Sequence, residues 1–501
     1  MNTVTEKLPV QGGVLRPALR IAASTLVARG CGVLGGLVSA AAFAPAAYGV
    51  FTFLRAMLGT GGWTHLGSVE AYRREWPRLM AAGCAEEAAV VERAAHRLAM
   101  ILPLGFWAAA AGIAGWISQT SPAGFVAENH WSIQALLATM LPIAGEAVRI
   151  EWLSVRGAMP AVARLRVVRG LAYATTIPLG AFSGGVLGAA IALLAAEWMT
   201  CACAARECRR LRRESPRAIV CGPQATLIPL AARLIRLGFP ITLIWQCVVF
   251  FDSVDRTVLI RTLGERAAGL HALGALAATA AFAVPEALSR VLHPRMCADA
   301  GRSDDDAVAR RVDGVTTVLT LWMPSALLAL AFFIEPILDL LLPSYADAGE
   351  TAAILVVGAG LTALVPSGVD WLIATGRVRR FLLLGPAVLL LRAVLVWMAA
   401  DLSGDIRAVA CAGVASTAVF VVLLELFSGR VGRARRLLER VLPGLLAVVL
   451  VVLVAAPWLD AWPLRLLTAL GAVALHHMLV RGLRILLAAR QSQAASERAA
   501  P

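Results

Sequence analysis

The sequence predicts an all-α, polytopic membrane protein: about 14 transmembrane helices, as two six-helix lobes around a central cavity plus two C-terminal helices. Three observations predict it. Of the 501 residues, 59% are hydrophobic and only 16% charged, with a mean hydropathy of +0.75, far from the balance of a soluble domain. Apolar runs near the roughly 20-residue length of a spanning helix recur along the whole chain. Basic residues fall in alternate connecting segments, as the positive-inside rule requires.

The first run, 18–40, follows Arg16 and ends before Ala42-Phe43-Ala44, which resembles a signal-peptide cleavage pattern. It is longer than an ordinary signal core and carries Arg29 at its centre, so a retained span is expected. The second, 48–70, is interrupted by Gly59-Thr60-Gly61-Gly62-Trp63, small residues that permit a bend or close helix contact. Further runs follow at 98–117, 131–152, 170–182 and 185–205, the fifth short as drawn and beginning nearer Ala161. After a basic stretch come 238–256, 267–289, 313–334, 351–374, 381–399 and 408–427. Runs at 441–457 and 466–480 complete the set.

Arginine placement tests this threading independently. Segments 1–17, 71–97, 153–169, 206–237, 290–312, 375–380, 428–440 and 481–501, assigned inside, hold 36 of the 46 basic residues. Those assigned outside hold four: Arg261, Arg266, Arg407 and Arg465. A miscounted helix inverts every later segment, so the alternation implies an even number of spans with both termini cytoplasmic. The charge of +14 is therefore topological rather than a nucleic-acid signal. Nine cysteines, an odd number, show no metal spacing and read as buried apolar residues or free thiols.

A shift of 220 residues places Ala47-Tyr48-Gly49 on Ala267-Ala268-Gly269 and Arg16 on Arg236. With six spans on either side, this reads as parallel repeats about an axis along the membrane normal. The implied organisation is an N-terminal lobe at 1–205, a basic linker at 206–237, a C-terminal lobe at 238–427 and two additional helices with a cytoplasmic tail at 428–501.

Four passages carry a resemblance. They are Ala44 through Phe51 (APAAYGVF), Asp252 through Gly269 (DSVDRTVLIRTLGERAAG), Pro285 through Pro294 (PEALSRVLHP) and Ala374-Thr375-Gly376-Arg377. The chain resembles the flippases for lipid-linked polysaccharide repeat units, in the multidrug, oligosaccharidyl-lipid and polysaccharide (MOP) exporter superfamily. The resemblance implies translocation of undecaprenyl-diphosphate-linked oligosaccharide by alternating access, for O-antigen or exopolysaccharide biosynthesis. It implies a polysaccharide polymerase and chain-length machinery as partners besides the bilayer, and a proton or sodium gradient in place of any cofactor. The second half departs from the Tyr-Gly pattern, Ala268 standing where the aromatic belongs.

A diphosphate head group crossing hydrocarbon needs fixed cations in a wet chamber, and arginine binds phosphate oxygens in pairs. A charge at the centre of a span costs about 2.5–3.5 kcal/mol, so such residues mark function or a specific partner. Arg29 and Arg55 are the leading head-group ligands, with Arg256 and Arg149 as further cavity cations; an intramembrane ion pair is the alternative for each. Asp252, Asp255 and Arg256 share one helix face at i, i+3 and i+4. Asp252 and Asp255 are ion-coupling candidates, Asp255 the better because Arg256 is placed to neutralise Asp252. Glu286 is a third, lining the vestibule or solvated at the interface. Arg149 is placed to pair with Glu146 or Glu151, while Arg392, Glu197, Asp370 and Glu425 stitch helices together. His476 and His477 lack the partners of a metal site.

No nucleophile motif or large external domain argues for an enzyme. Competing readings are a cation-coupled exporter of drugs or metabolites in the same superfamily, a flippase for the peptidoglycan precursor, and a membrane polysaccharide polymerase or ligase. The short external loops weigh against the last.

Overall fold

The computed structural model describes residues 15–59, 63–214, 227–279, 283–301 and 305–427, and among these there is no strand. The first half runs through α1 (Leu15–Ala42), α2 (Pro45–Gly59), α3 (Ser68–Ala81), α4 (Ala85–Thr120), the short α5 (Phe125–Glu128), α6 (His130–Ala138), α7 (Met140–Val155) and α8 (Met159–Glu214). The second half runs through α9 (Leu227–Thr262), α10 (Gly264–Thr279), α11 (Ala283–Gly301), α12 (Asp305–Leu341), α13 (Gly349–Thr362), α14 (Val365–Ala374), α15 (Phe381–Ser403) and α16 (Ile406–Phe427). Each of the twelve apolar runs up to residue 427 includes described helix. The runs at 441–457 and 466–480, and the histidine pair, lie outside the described residues. Among those described, seven helices, or eight counting the bent α9, are long and apolar enough to cross a membrane on their own. Large apolar side chains such as Trp116, Trp131, Trp198 and Trp397 point outward, as lipid requires.

Two expected boundaries move. The second span ends at Gly59, because the following segment is a separate polar helix: α3 carries Glu70, Arg73, Arg74, Glu75 and Arg78 and cannot enter hydrocarbon. Its start is set by Gly67, whose φ of 80° and close approach to the Gly238 backbone both exclude a side chain. The segment 206–237 is helical on both flanks, since α8 continues to Glu214 and α9 begins at Leu227. The expected break between the fifth and sixth runs holds: α8 is a hairpin of two spans, broken where Gly184 and Gly185 leave helical geometry. Its arms meet so closely that a Cβ on Gly180 would overlap the Gly188 carbonyl.

Within the first half α8 packs on α1, α6 and α7, and within the second α15 packs on α9 and α16 while α13 packs on α12 and α16. The halves meet through α2 with α10, α3 with α9, α1 with α11, and α3 with α11. At the first of these contacts the two glycines aligned by the 220-residue shift touch each other. A Cβ on Gly49 would overlap Glu265 O, and one on Gly269 would overlap Pro45 O. Around this crossing Tyr48 packs edge-on against Tyr345, whose hydroxyl donates to the carbonyls of Ala40 and Phe43 at 3.1 and 3.2 Å. At the α15–α16 turn, Asp405 accepts the Arg407 amide at 2.9 Å, an N-cap that holds its carboxyl below the usual carboxylate range.

Candidate functional site

Between the halves lies a chamber of about 680 Å³ whose wall draws on α1, α2, α7 to α11, α13, α15 and α16. Six arginines and four carboxylates line it among the described residues. Apolar helices bring these charges to one place because each has its charged position on the face turned inward, away from lipid.

Arg29, on α1, donates to Glu286 Oε2 at 2.8 Å across the boundary between the halves. Arg166, on the first arm of α8, donates to the other oxygen, Oε1, at 2.9 Å and to Thr25 Oγ1 at 2.5 Å. One carboxylate from the second half is thus clamped by two guanidiniums from the first. Nearby, Arg169 is held by Glu197 at 2.9 Å, by Glu146 at 3.3 Å and by the Tyr173 hydroxyl, which also bonds Glu197. Arg55, on α2, is exposed to the chamber and stands 5.7 Å from the Tyr173 ring centre. Among the described residues it has no ion-pair partner, the one lining arginine of which this is true.

The α9 face is satisfied from two directions. Arg256 pairs with Asp252 at 2.9 Å, as the i, i+4 spacing predicts, and donates to Thr52 O on α2 at 2.6 Å. Asp255 is not left free by that pairing. Arg392 on α15 grips it in a fork, Nε to Oδ1 at 2.9 Å and Nη2 to Oδ2 at 2.5 Å, and ties it further to Gly413 O, Ser416 and Thr417. Arg392 therefore stitches helices, as its sequence suggested.

Arg149 does not belong to the chamber wall. Its guanidinium turns back to Gly145 O at 2.6 Å and reaches Cys201 Sγ at 3.3 Å, and neither expected acid is its partner. Glu146 serves Arg169, and Glu151 lies 3.8 Å from Arg73. Where α11 meets α14, Asp370 accepts from Ser289 at 2.5 Å and bonds His293 at 2.7 Å.

Sequence reasoning brought Arg29, Arg55, Arg256, Asp252, Asp255 and Glu286 to the chamber, and all six line it. It missed Arg166, Arg169 and Tyr173. The two arginines were counted as cytoplasmic loop, although a fifth span beginning near Ala161 already places them inside a helix. Among the described residues no group of three or more metal-ligating side chains comes together.

No family model matches the chain, and no curated protein matches it. Solved structures do. A MATE in complex with MaL6 superposes with a TM-score of 0.67 at 15% identity, covering 88% of this chain and 100% of that one. A MOP superfamily transporter from Pyrococcus furiosus, its binding pocket described as reversed in polarity, gives 0.66 at 16% identity over 85% and 97%. The Vibrio cholerae MATE transporter VcmN gives 0.64 at 16% identity over 85% and 98%. At this identity the likeness establishes the fold: the chain has the all-helical, polytopic architecture of the MATE transporters of the MOP superfamily.

Proposed function

We propose that the chain is an alternating-access membrane transporter whose cargo is anionic. The observation that carries this is the surplus of guanidinium on the chamber wall, with Arg55 facing the chamber unpaired among the described residues. An anion entering the chamber meets Arg55 first and then competes with Glu286 for Arg29 and Arg166. Displacing that carboxylate removes one tie between the halves, which links cargo binding to their movement. The finer reading is a lipid-linked oligosaccharide diphosphate, moved between the leaflets of a bacterial inner membrane. The four resembling passages support it, together with the fit of paired guanidiniums to a diphosphate. Polymerase and chain-length partners belong to that reading alone.

The fold likeness favours a second reading, an ion-coupled exporter of drugs or metabolites. The reversed pocket polarity of the Pyrococcus protein, described as suggesting a different function, supports sorting members of this fold by pocket charge. An unpaired Arg55 repels a cationic drug, so the exporter reading also takes an anionic substrate here.

Full-length protein in vesicles, given a fluorescent prenyl diphosphate and a membrane-impermeant quencher, tests both. The probe should cross between leaflets, and Arg55→Ala should slow it at least about tenfold, the loss of roughly one charge-assisted contact. Arg149→Ala should leave the rate unchanged. Transport of a lipophilic cation in preference to the diphosphate refutes the anionic reading. Transport of soluble organic anions without the prenyl lipid selects the exporter.

A further inference from the structure

His271 lies on α10, two residues past the Gly49–Gly269 crossing, and lines the chamber. It is 1% exposed, yet neither ring nitrogen has a hydrogen-bond partner among the described residues. Buried polar groups are ordinarily satisfied, so an imidazole left this way at a functional cavity calls for a task. Its Nε2 stands 4.0 Å from Asp255 Oδ2, outside hydrogen-bond reach and within range of a small movement.

We propose that His271 is the proton-binding group that couples transport to an ion gradient. This rests on the transport reading above and adds the identity of the ion. A proton from chamber water binds the unprotonated ring nitrogen. The imidazolium closes the gap to Asp255, and Arg392 then shares that carboxylate with a second cation. The wall built from α9, α15 and α16 loosens, because the Asp255–Arg392 fork is one of the ties that join it. The proton leaves the same nitrogen to water when the chamber opens to the other side, and no other bond changes.

The surroundings favour a proton over sodium. A sodium ion needs several free oxygen ligands, but both oxygens of Asp255 are taken by Arg392 and both of Asp252 by Arg256. The groups that meet His271 are few. From α9 come Asp252, Asp255 and Arg256, and from α15 Arg392. Helix α2 brings Tyr48 and Arg55, and α1 brings Arg29. The turn Pro343–Ala348 brings Tyr345, and Asp347 already paired with Arg266 at 3.1 Å. From α13 and α16 the chamber wall receives only Gly, Ala, Val, Leu and Thr.

Two measurements on the full-length protein test this. The first is nitrogen NMR of the histidine rings, with His271→Gln identifying the resonances of His271. The second is the distance between one spin label in each half, recorded against pH and against farnesyl diphosphate. The ring of His271 should become imidazolium as the pH is lowered through the range over which the protein stays folded. The distance change should share that midpoint in the wild type and vanish in His271→Gln, while the response to farnesyl diphosphate persists. A ring that stays neutral through this range overturns the proposal; where His271→Gln fails to fold, a wild-type distance that does not respond to pH overturns it as well. So does a pH response that survives in His271→Gln. A response to farnesyl diphosphate without one to protons removes the proton site and leaves the transport reading standing. The converse leaves the proton site and removes the anionic cargo.

Discussion

Replacing Glu286 by Gln should tighten the binding of a diphosphate-headed lipid, although it deletes a charged residue from the binding site. Glu286 sits where an anion would sit: Arg29 donates to one oxygen at 2.8 Å and Arg166 to the other at 2.9 Å. Each charge-assisted bond contributes about 1.5–3 kcal/mol when desolvated. The Arg29 and Glu286 side chains remain 38% and 28% exposed, whereas Arg166 is 10% exposed, so the Arg29 bond is discounted heavily. A net competition of about 1–2 kcal/mol remains, which corresponds to about 5- to 30-fold tighter binding once the carboxylate is neutral. Gln keeps the shape and still accepts one bond, so the chamber should stay intact. Titrating purified full-length protein with farnesyl diphosphate, and following heat or intrinsic tryptophan fluorescence, reads the affinity directly. The same variant should separate the halves more readily, visible as a longer distance between labels on α1 and α11. An affinity unchanged within about twofold, or one that falls, refutes the view that Glu286 occupies the cargo's place. It would point instead to a carboxylate that itself receives a cation.

Gly49→Ala and Gly269→Ala each push a methyl into a backbone carbonyl of the facing helix. Each should cost about 1–3 kcal/mol of stability or open the α2–α10 contact. Thermal unfolding, and labelling of cysteines introduced on either side of the crossing, should register one or the other. Arg392→Ala leaves Asp255, 1% exposed, without the fork that neutralises it, at a cost of about 3–5 kcal/mol read as a lower unfolding temperature. Arg392→Lys should restore only part of it, because an ammonium cannot reproduce two bonds to one carboxylate and three to α16. Wild-type melting in the alanine variant would show that this pair does not support the second half.

The membrane fold was legible because hydropathy is a local property, readable over any 20-residue window. The 220-residue shift aligned Gly49 with Gly269, and these two glycines stand where the backbones of the two halves touch. The end of the second span was less legible. The run 48–70 averages out as apolar although its second part holds His65 and Glu70, and Gly67 against Gly238 marks where a separate helix starts. Arg166 and Arg169 were hidden by the same averaging, since basic residues at a span's end read as loop. Asp252 with Arg256 could be paired from spacing alone, being four residues apart on one helix.

What the sequence by itself determined is that this chain is a bundle of membrane helices carrying a few costly arginines and carboxylates inside. Local composition and helical periodicity suffice for that. Which charge meets which was decided only by the tertiary structure, because the partners are far apart along the chain. Arg29 and Glu286 are separated by 257 positions, Arg166 and Glu286 by 120, and Asp255 and Arg392 by 137. The packing of α1 on α8 and α11, and of α9 on α15, selects those pairs from many of equal charge. The same packing turns Arg149 away to Cys201, leaves Arg55 open to the chamber, and holds His271 within 4.0 Å of a carboxylate that it does not yet touch.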